Sequence, residues 1–258
     1  MARSILLMGE SGAGKTTSLR NLDPKTTFIV DCDKKGLPWR GWKRQYNTES
    51  KNYFMTSKTP AIWEVLNRIN GQDLTHIKVV VIDTLNGIMV DDEMARMREK
   101  NYDKWADLAA SIYSLISDIH LLRDDLTVVC VAHSQTDRDD NGYMFTRMKT
   151  SGRKLDKIVP ESKFNMVLLA KASDGQYVFE TKANHSTAKT PMDMFKEREI
   201  PNDMAMVIDT LNKYEEGEDN NDETRGVRRS EGRTVRGVPK APGGGVHVQD
   251  RQSGGNGL

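Results

Sequence analysis

Apolar residues in this chain follow two rhythms, and the switches between them predict the order of the elements. Short apolar runs bounded by polar or turn-forming residues predict buried strands at 4–8, 27–33, 77–83 and 126–132, with a shorter one at 52–55. Between them the spacing changes to three and four. Ile62, Val65, Leu66 and Ile69, opened by Pro60, predict one helix; Leu108, Ile112, Leu115, Ile119 and Leu122 predict another, with a weaker helical stretch before it. A helix is also expected from 14 to 22, stopped by Asp23-Pro24, and a last one from 202 to 214 after Pro201. The runs 164–171 and 177–182 predict a hairpin turning at Ser173-Asp174-Gly175, whereas 135–161 is a long polar stretch with Gly142 and Gly152. Strands apolar on both faces and alternating with helices predict an α/β fold: a mostly parallel sheet with helices on both faces and a C-terminal hairpin.

The pattern stops near residue 215. Residues 216–258 bring acidic side chains, then arginines, then Gly, Pro, Ser and Asn, so a disordered tail is expected behind a core of residues 1–215. With 37% hydrophobic and 29% charged residues the chain reads as a soluble globular protein. No apolar run approaches the roughly 20 residues that span a bilayer, so no membrane partner is expected. Cys32 and Cys130 sit inside apolar runs without metal-ligand spacing and suit buried thiols in a reducing cytoplasm. A formal net charge of +1 gives no global pull towards nucleic acid, which leaves that task to local patches.

Gly9-Glu10-Ser11-Gly12-Ala13-Gly14-Lys15-Thr16 fits G-x-x-x-x-G-K-[ST] without a gap, between a predicted strand and a predicted helix. Such glycines let the backbone curl until successive N–H groups face a phosphate, and a helix start adds partial positive charge. Gly9 to Thr17 are therefore expected to bind ATP, with Lys15 bridging its outer phosphates and Thr16 placing a hydroxyl on Mg2+. Asp83 ends the wholly apolar run VVVID, where a carboxylate is costly unless a cation or donor meets it; it is the expected second residue of the magnesium site. Hydrolysis also needs a carboxylate to orient water. Asp31 and Asp33 end the second strand on one side by alternation; Asp33, nearer the tip, is preferred, although both suit turn capping as well. Asp92 and Glu93, at the start of a predicted helix, rank lower. His133 and Ser134 end the strand after Asp83, where His133 could sense the γ-phosphate or serve only as a structural histidine.

The phosphate loop Gly9 to Thr16, FIVDCD from Phe28 to Asp33, VVVIDT from Val79 to Thr84 and VCVAHS from Val129 to Ser134 together resemble the RecA-like branch of P-loop ATPases. More closely, KGLPWRGWKRQY (Lys35 to Tyr46), LRDDLTVVCVAHS (Leu122 to Ser134) and FETKANHSTAKTPMDMF (Phe179 to Phe195) resemble short phage-encoded RecA-core ATP-binding proteins. Some of those act as single-strand annealing or recombination ATPases beside a single-stranded DNA-binding protein. The resemblance covers residues 3 to 215. It implies a RecA-like core, a Mg2+-dependent ATPase, single-stranded DNA and a single-stranded DNA-binding protein as partners, a homo-oligomer, and residence in a host cytoplasm. It puts the catalytic acid at Asp33, where the family usually has glutamate, so slow turnover is expected. His133 matches the phosphate sensor, and Lys182 and Lys189, before and within HSTAKTP, match a region whose basic residues can reach a neighbour's γ-phosphate. The first strand begins at Ser4, leaving no N-terminal segment for the family's head-to-tail polymerisation, so a filament does not carry over from the resemblance, and a ring or a differently tied assembly stays open.

Two segments suit contact with DNA. Trp39, Arg40 and Trp42 lie among Lys34, Lys35, Lys43 and Arg44; such a segment can hold phosphates and stack bases, cover the nucleotide, form a subunit interface, or simply pack. After His133 come Arg138, Arg147, Lys149, Arg153, Lys154 and Lys157 with Tyr143 and Phe145, where the resemblance implies a DNA-binding loop and a solvated loop is the plain alternative. Other functions stay open: a nucleotide or small-molecule kinase, a motor or loader subunit, or a nucleotide-gated binding module with little turnover. A kinase usually carries an arginine-rich lid and an acceptor pocket, and the His133-Ser134 strand tip is less natural for it.

Overall fold

The computed structural model describes residues 1–100, 103–173 and 175–217. Strand β1 (Arg3–Gly9) runs into the glycine-rich loop, which a 3-10 helix (Thr16–Asn21) and β2 (Thr27–Asp31) follow. Next come α1 (Trp42–Gln45), β3 (Tyr53–Met55), α2 (Thr59–Asn70), β4 (Val79–Asp83), α3 (Leu85–Ala95), α4 (Asp103–Asp118) and β5 (Thr127–Arg138). The described chain ends with β6 (Met144–Met148), α5 (Arg153–Ile158), β7 (Met166–Ser173), β8 (Gln176–Glu180), β9 (Glu199–Pro201) and α6 (Met204–Glu215). No helix among the described residues is long and apolar enough to cross a membrane.

Among the described residues nine strands pair in the order β3-β2-β4-β5-β1-β7-β8-β9, with β6 added to the outer half of β5. The central strands are parallel, while β7, β8 and β9 form the antiparallel C-terminal hairpin and edge. This is the expected class. Strand alternation divides the core between two faces. Leu6, Met8, Val80, Ile82, Val128 and Cys130 meet α2, α3 and α4 on one; Ile5, Leu7, Val79, Val81, Val129 and Val131 meet the 3-10 helix and α6 on the other. The apolar stripes of α2 (Ile62, Leu66, Ile69) and α4 (Leu108, Ile112, Leu115) are fully buried, as their spacing requires.

Three expectations are corrected. The helix at 14–22 is a 3-10 helix of six residues, so the loop has no long α-helix behind it. The strand at 27–33 stops at Asp31, which leaves Asp33 in the bend beyond it, not on a strand. The polar stretch after His133 is largely regular: β5 continues to Arg138 and returns as β6, and α5 follows. The expected tail lies outside the described residues except for 216 and 217, as does Asp174 of the hairpin turn.

Candidate functional site

Parallel strands bring their C-terminal ends to one edge of the sheet, and the residues quoted from four separate motifs meet there. Gly9 pairs in register with His133, and Asp31 with Asp83, so the loop, β5, β4 and β2 tips lie side by side. They border a cleft of about 860 Å³ lined by Ser11, Gly12, Gly14, Lys15, Thr16 and Thr17, facing Lys35, Thr84 and His133. Gly14 holds φ of +83°, which favours glycine, and a Cβ there would sit 2.9 Å from the Tyr177 ring.

The charged groups of the cleft hold one another. Lys15, only 6% exposed, donates to the carbonyls of Gly9 (2.8 Å) and Glu10 (2.7 Å). Burial lowers its pKa against the raising field of Asp83, and the charge of Lys35 lowers it further. The Thr16 hydroxyl donates to Asp83 Oδ2 at 2.8 Å. Asp83 Oδ1 is buried with no hydrogen-bond partner, and burial first, with help from Asp33 and Asp31, pushes this carboxyl up to about 6. An unpaired buried carboxylate oxygen beside a threonine hydroxyl and a phosphate loop suits a divalent cation; Thr16 and Asp83 would hold it, and it would supply charge to the phosphates.

Asp31 and Asp33 divide. Asp31 is buried and held by three donors, accepting from Lys34 N (2.8 Å), Gly36 N (2.7 Å) and the Tyr53 hydroxyl (2.7 Å). Asp33 does not itself line the cleft but is bonded to two residues that do: Thr84 donates to its Oδ1 at 2.9 Å, and Lys35 pairs with its Oδ2 at 2.6 Å. The Asp83–Thr84 peptide is cis. The Thr84 hydroxyl also accepts from Gly87 N, capping α3. Asp92 and Glu93 sit two turns into α3 and do not line the cleft. Burial and the nearby Lys15 charge lower the pKa of half-buried His133, which favours the neutral ring. Its backbone N–H donates to Asn86 Oδ1 (2.7 Å), and the Asn86 amide donates to Lys149 O (3.0 Å).

The sequence reading missed the far wall of the cleft, built by Arg20, Tyr177, Pro201 and Asn202. Asn202 is 7% exposed with an unpartnered Nδ2, and Arg20 donates to its carbonyl. Asp203 caps α6 at Ala205 N and accepts from Asn21. No motif marks these residues; Arg20 stands on the 3-10 helix after the loop, while β8 and the β9–α6 junction bring the others from far along the chain.

The candidate DNA contacts separate by burial. Trp39 and Trp42 are half-buried against the core, edge-on to Tyr46 at 6.1 Å and tilted on Tyr53 at 5.2 Å between ring centroids, which fits the packing alternative. Arg40 is exposed. Arg147 is tied to Asp137 and to Asp156 within its own hairpin region, whereas Lys149 and Lys154 face solvent. The side chain of Arg153 lies outside the described part. Lys182 is exposed and leans on Lys196 O (3.4 Å); Lys189 reaches Ser162 O (3.5 Å) at the start of β7, the end of the sheet away from Gly9. Neither lines the cleft.

No match was found among curated proteins. Among solved structures the chain is similar to the crystal structure of the RadB recombinase, at 16% identity and a TM-score of 0.43, over 69% of this chain and 80% of that one. Residues 1–192 match the family model of the AAA domain (AAA_24), a span that takes in the glycine-rich loop, Asp83 and His133, and the chain belongs to that family of nucleotide-binding P-loop ATPases.

Proposed function

We propose that the protein binds ATP with Mg2+ at this cleft and hydrolyses it slowly, in the cytoplasm, as an oligomeric ATPase acting on single-stranded DNA in phage-type recombination or annealing. The observation that carries the ATP and magnesium part is the buried, unpartnered Asp83 Oδ1 beside the Thr16 hydroxyl and the phosphate loop. In this reading Lys15 leaves the loop carbonyls for the outer phosphates, Thr16 and Asp83 hold the cation, Asp33 orients the water, and neutral His133 donates to the terminal phosphate. Asp33 is the better placed of the two carboxylates because Asp31 is held by three donors that fix the turn, whereas Asp33 meets Thr84 and Lys35, which line the cleft.

The DNA part is supported by the hairpin of β5 and β6. It grows from the strand whose tip is His133, and Lys149 N donates to His133 O at 2.7 Å, so the phosphate side of the cleft is mechanically joined to the basic segment. A partnering single-stranded DNA-binding protein belongs to the same reading. The engagement of Asp33 by Lys35 and Thr84 favours one second reading, a nucleotide-gated module with little turnover. The test is phosphate release from ATP with and without Mg2+ and with and without single-stranded oligonucleotide, alongside a mass measurement of the assembly. Release that needs Mg2+ and rises with oligonucleotide is expected. Nucleotide binding without release would favour the gated module, and transfer to a small acceptor would favour a kinase.

A further inference from the structure

The cleft holds a second ammonium that the phosphate-loop motif does not contain. Lys35 lines it opposite Lys15, on a turn whose shape is fixed from below. The buried Asp31 carboxylate accepts from the backbone N–H groups of Lys34 and Gly36, the residues on either side, and Tyr53 locks that carboxylate in turn. Trp42 packs beneath Gly36, where an added Cβ would meet its ring at 2.8 Å. The neighbouring Lys34 is turned away to Asp91 at 2.5 Å. Of this lysine pair, Lys35 alone faces the cleft, and its position is preorganised.

Its present partner is Asp33, at 2.6 Å, with the lysine side chain 54% exposed. Solvent around the lysine end screens such a pair and keeps it weak. A polyphosphate in the cleft carries more charge and more acceptor oxygens than one carboxylate, and charge-assisted bonds to phosphate are the stronger kind. Two ammonium groups lining one cleft also repel until an anion lies between them.

We propose that Lys35 is a second phosphate-binding lysine, which contacts the terminal phosphate of a bound nucleoside triphosphate and releases Asp33 as it does so. The proposal rests on the reading of the cleft as a nucleoside triphosphate site. It makes Lys35 a residue that discriminates triphosphate from diphosphate, and it couples that discrimination to the freedom of the water-orienting carboxylate.

The experiment is a binding titration in Mg2+ with a non-hydrolysable ATP analogue and with ADP. It compares the wild type, Lys35→Ala, Lys35→Arg and Lys15→Ala, with melting curves to verify folding. Lys35→Ala should weaken the ATP analogue about tenfold or more, the loss of one charge-assisted bond, and ADP by less than about threefold. Lys35→Arg should restore most of the difference. Asp33→Asn, which removes the competing carboxylate, should tighten the ATP analogue in the wild-type background and have no effect in the Lys35→Ala background. Equal losses for the two nucleotides, no loss for either, or tightening by Asp33→Asn without Lys35 would overturn the proposal. Lys15→Ala should weaken both ligands; if it weakens neither, the nucleotide reading of the cleft fails, and not only the role of Lys35.

Discussion

Asp83 carries the largest electrostatic cost in the cleft, because burial raises its carboxyl from the usual carboxylate range to about 6. A carboxyl whose folded pKa lies above its unfolded one favours the protonated folded state, so its effect on stability worsens as pH rises through that window. In chelator at pH 7, Asp83→Asn should therefore melt above the wild type, by a difference on the order of 3 kcal/mol that closes below pH 4. Added Mg2+ should stabilise the wild type and not the variant. A wild type more stable than the variant at pH 7 in chelator would refute this account. Gly87 acts on Asp33 sterically. A Cβ there would lie 2.6 Å from Asp33 Oδ1 and 2.8 Å from the Cys32 carbonyl, so Gly87→Ala must displace the acid or the turn that carries it. ATP turnover should fall on the order of a hundredfold for a shift of about 1 Å, while ADP affinity, set by the phosphate loop, holds. Steady-state kinetics beside a binding titration would expose a loss of affinity instead.

At the scale of elements, the hairpin of β5 and β6 combines two kinds of basic residue that the sequence does not distinguish. Arg147 is enclosed by Asp137 and Asp156, and Met148 N donates to the buried Glu161 at 2.8 Å, so this part of the hairpin is held from inside. Arg147→Ala should lower the melting temperature and leave the salt dependence of oligonucleotide binding unchanged. Lys149 and Lys154 are exposed, and changing both to alanine should weaken single-stranded DNA binding and flatten its log–log salt slope by roughly 0.7 per lost contact. Titrations of labelled oligonucleotide at several salt concentrations separate the two. An unchanged slope in the double variant would remove this surface from the DNA reading.

For the whole molecule, sheet order sets the geometry of the cleft. Strand β5 lies between β1 and β4, which puts the His133 tip between the phosphate loop and Asp83. The cleft is completed by the entry of α6, fixed to the 3-10 helix through Asn21 and Asp203 (2.6 Å), so the segment through α6 is needed for an intact site. Residues 218–258 contain few large apolar side chains. Truncation after Gly217 should leave the melting transition and nucleotide affinity nearly unchanged, whereas truncation before α6 should abolish folding. Loss of a cooperative transition in the chain ending at Gly217 would show that the core extends further.

Much of this was legible in the sequence, because the signals involved are local. A strand buried on both faces must be apolar throughout, a buried helix must repeat every three or four residues, and a phosphate-cradling turn needs glycines at fixed offsets. Those rules located β1, β4, the first half of β5, α2, α4, the hairpin of β7 and β8, the phosphate loop and Asp83. The tertiary structure decided whatever depends on partners distant in the chain. Asp31 and Asp33 are alike as residues, and only the approach of Tyr53 and the turn at Lys34 to Gly36 engages one while Thr84 and Lys35 receive the other. Trp39 and Trp42 look like a stacking platform until the core they cover is assembled, and Arg147 looks free until Asp156 meets it. Asn202 carries no motif, because its place in the cleft comes from a chain that returns to Gly14 after nearly two hundred residues. Composition and spacing specify which side chains must be buried or turned; which charge faces which is fixed only when the sheet brings its strand tips to one edge.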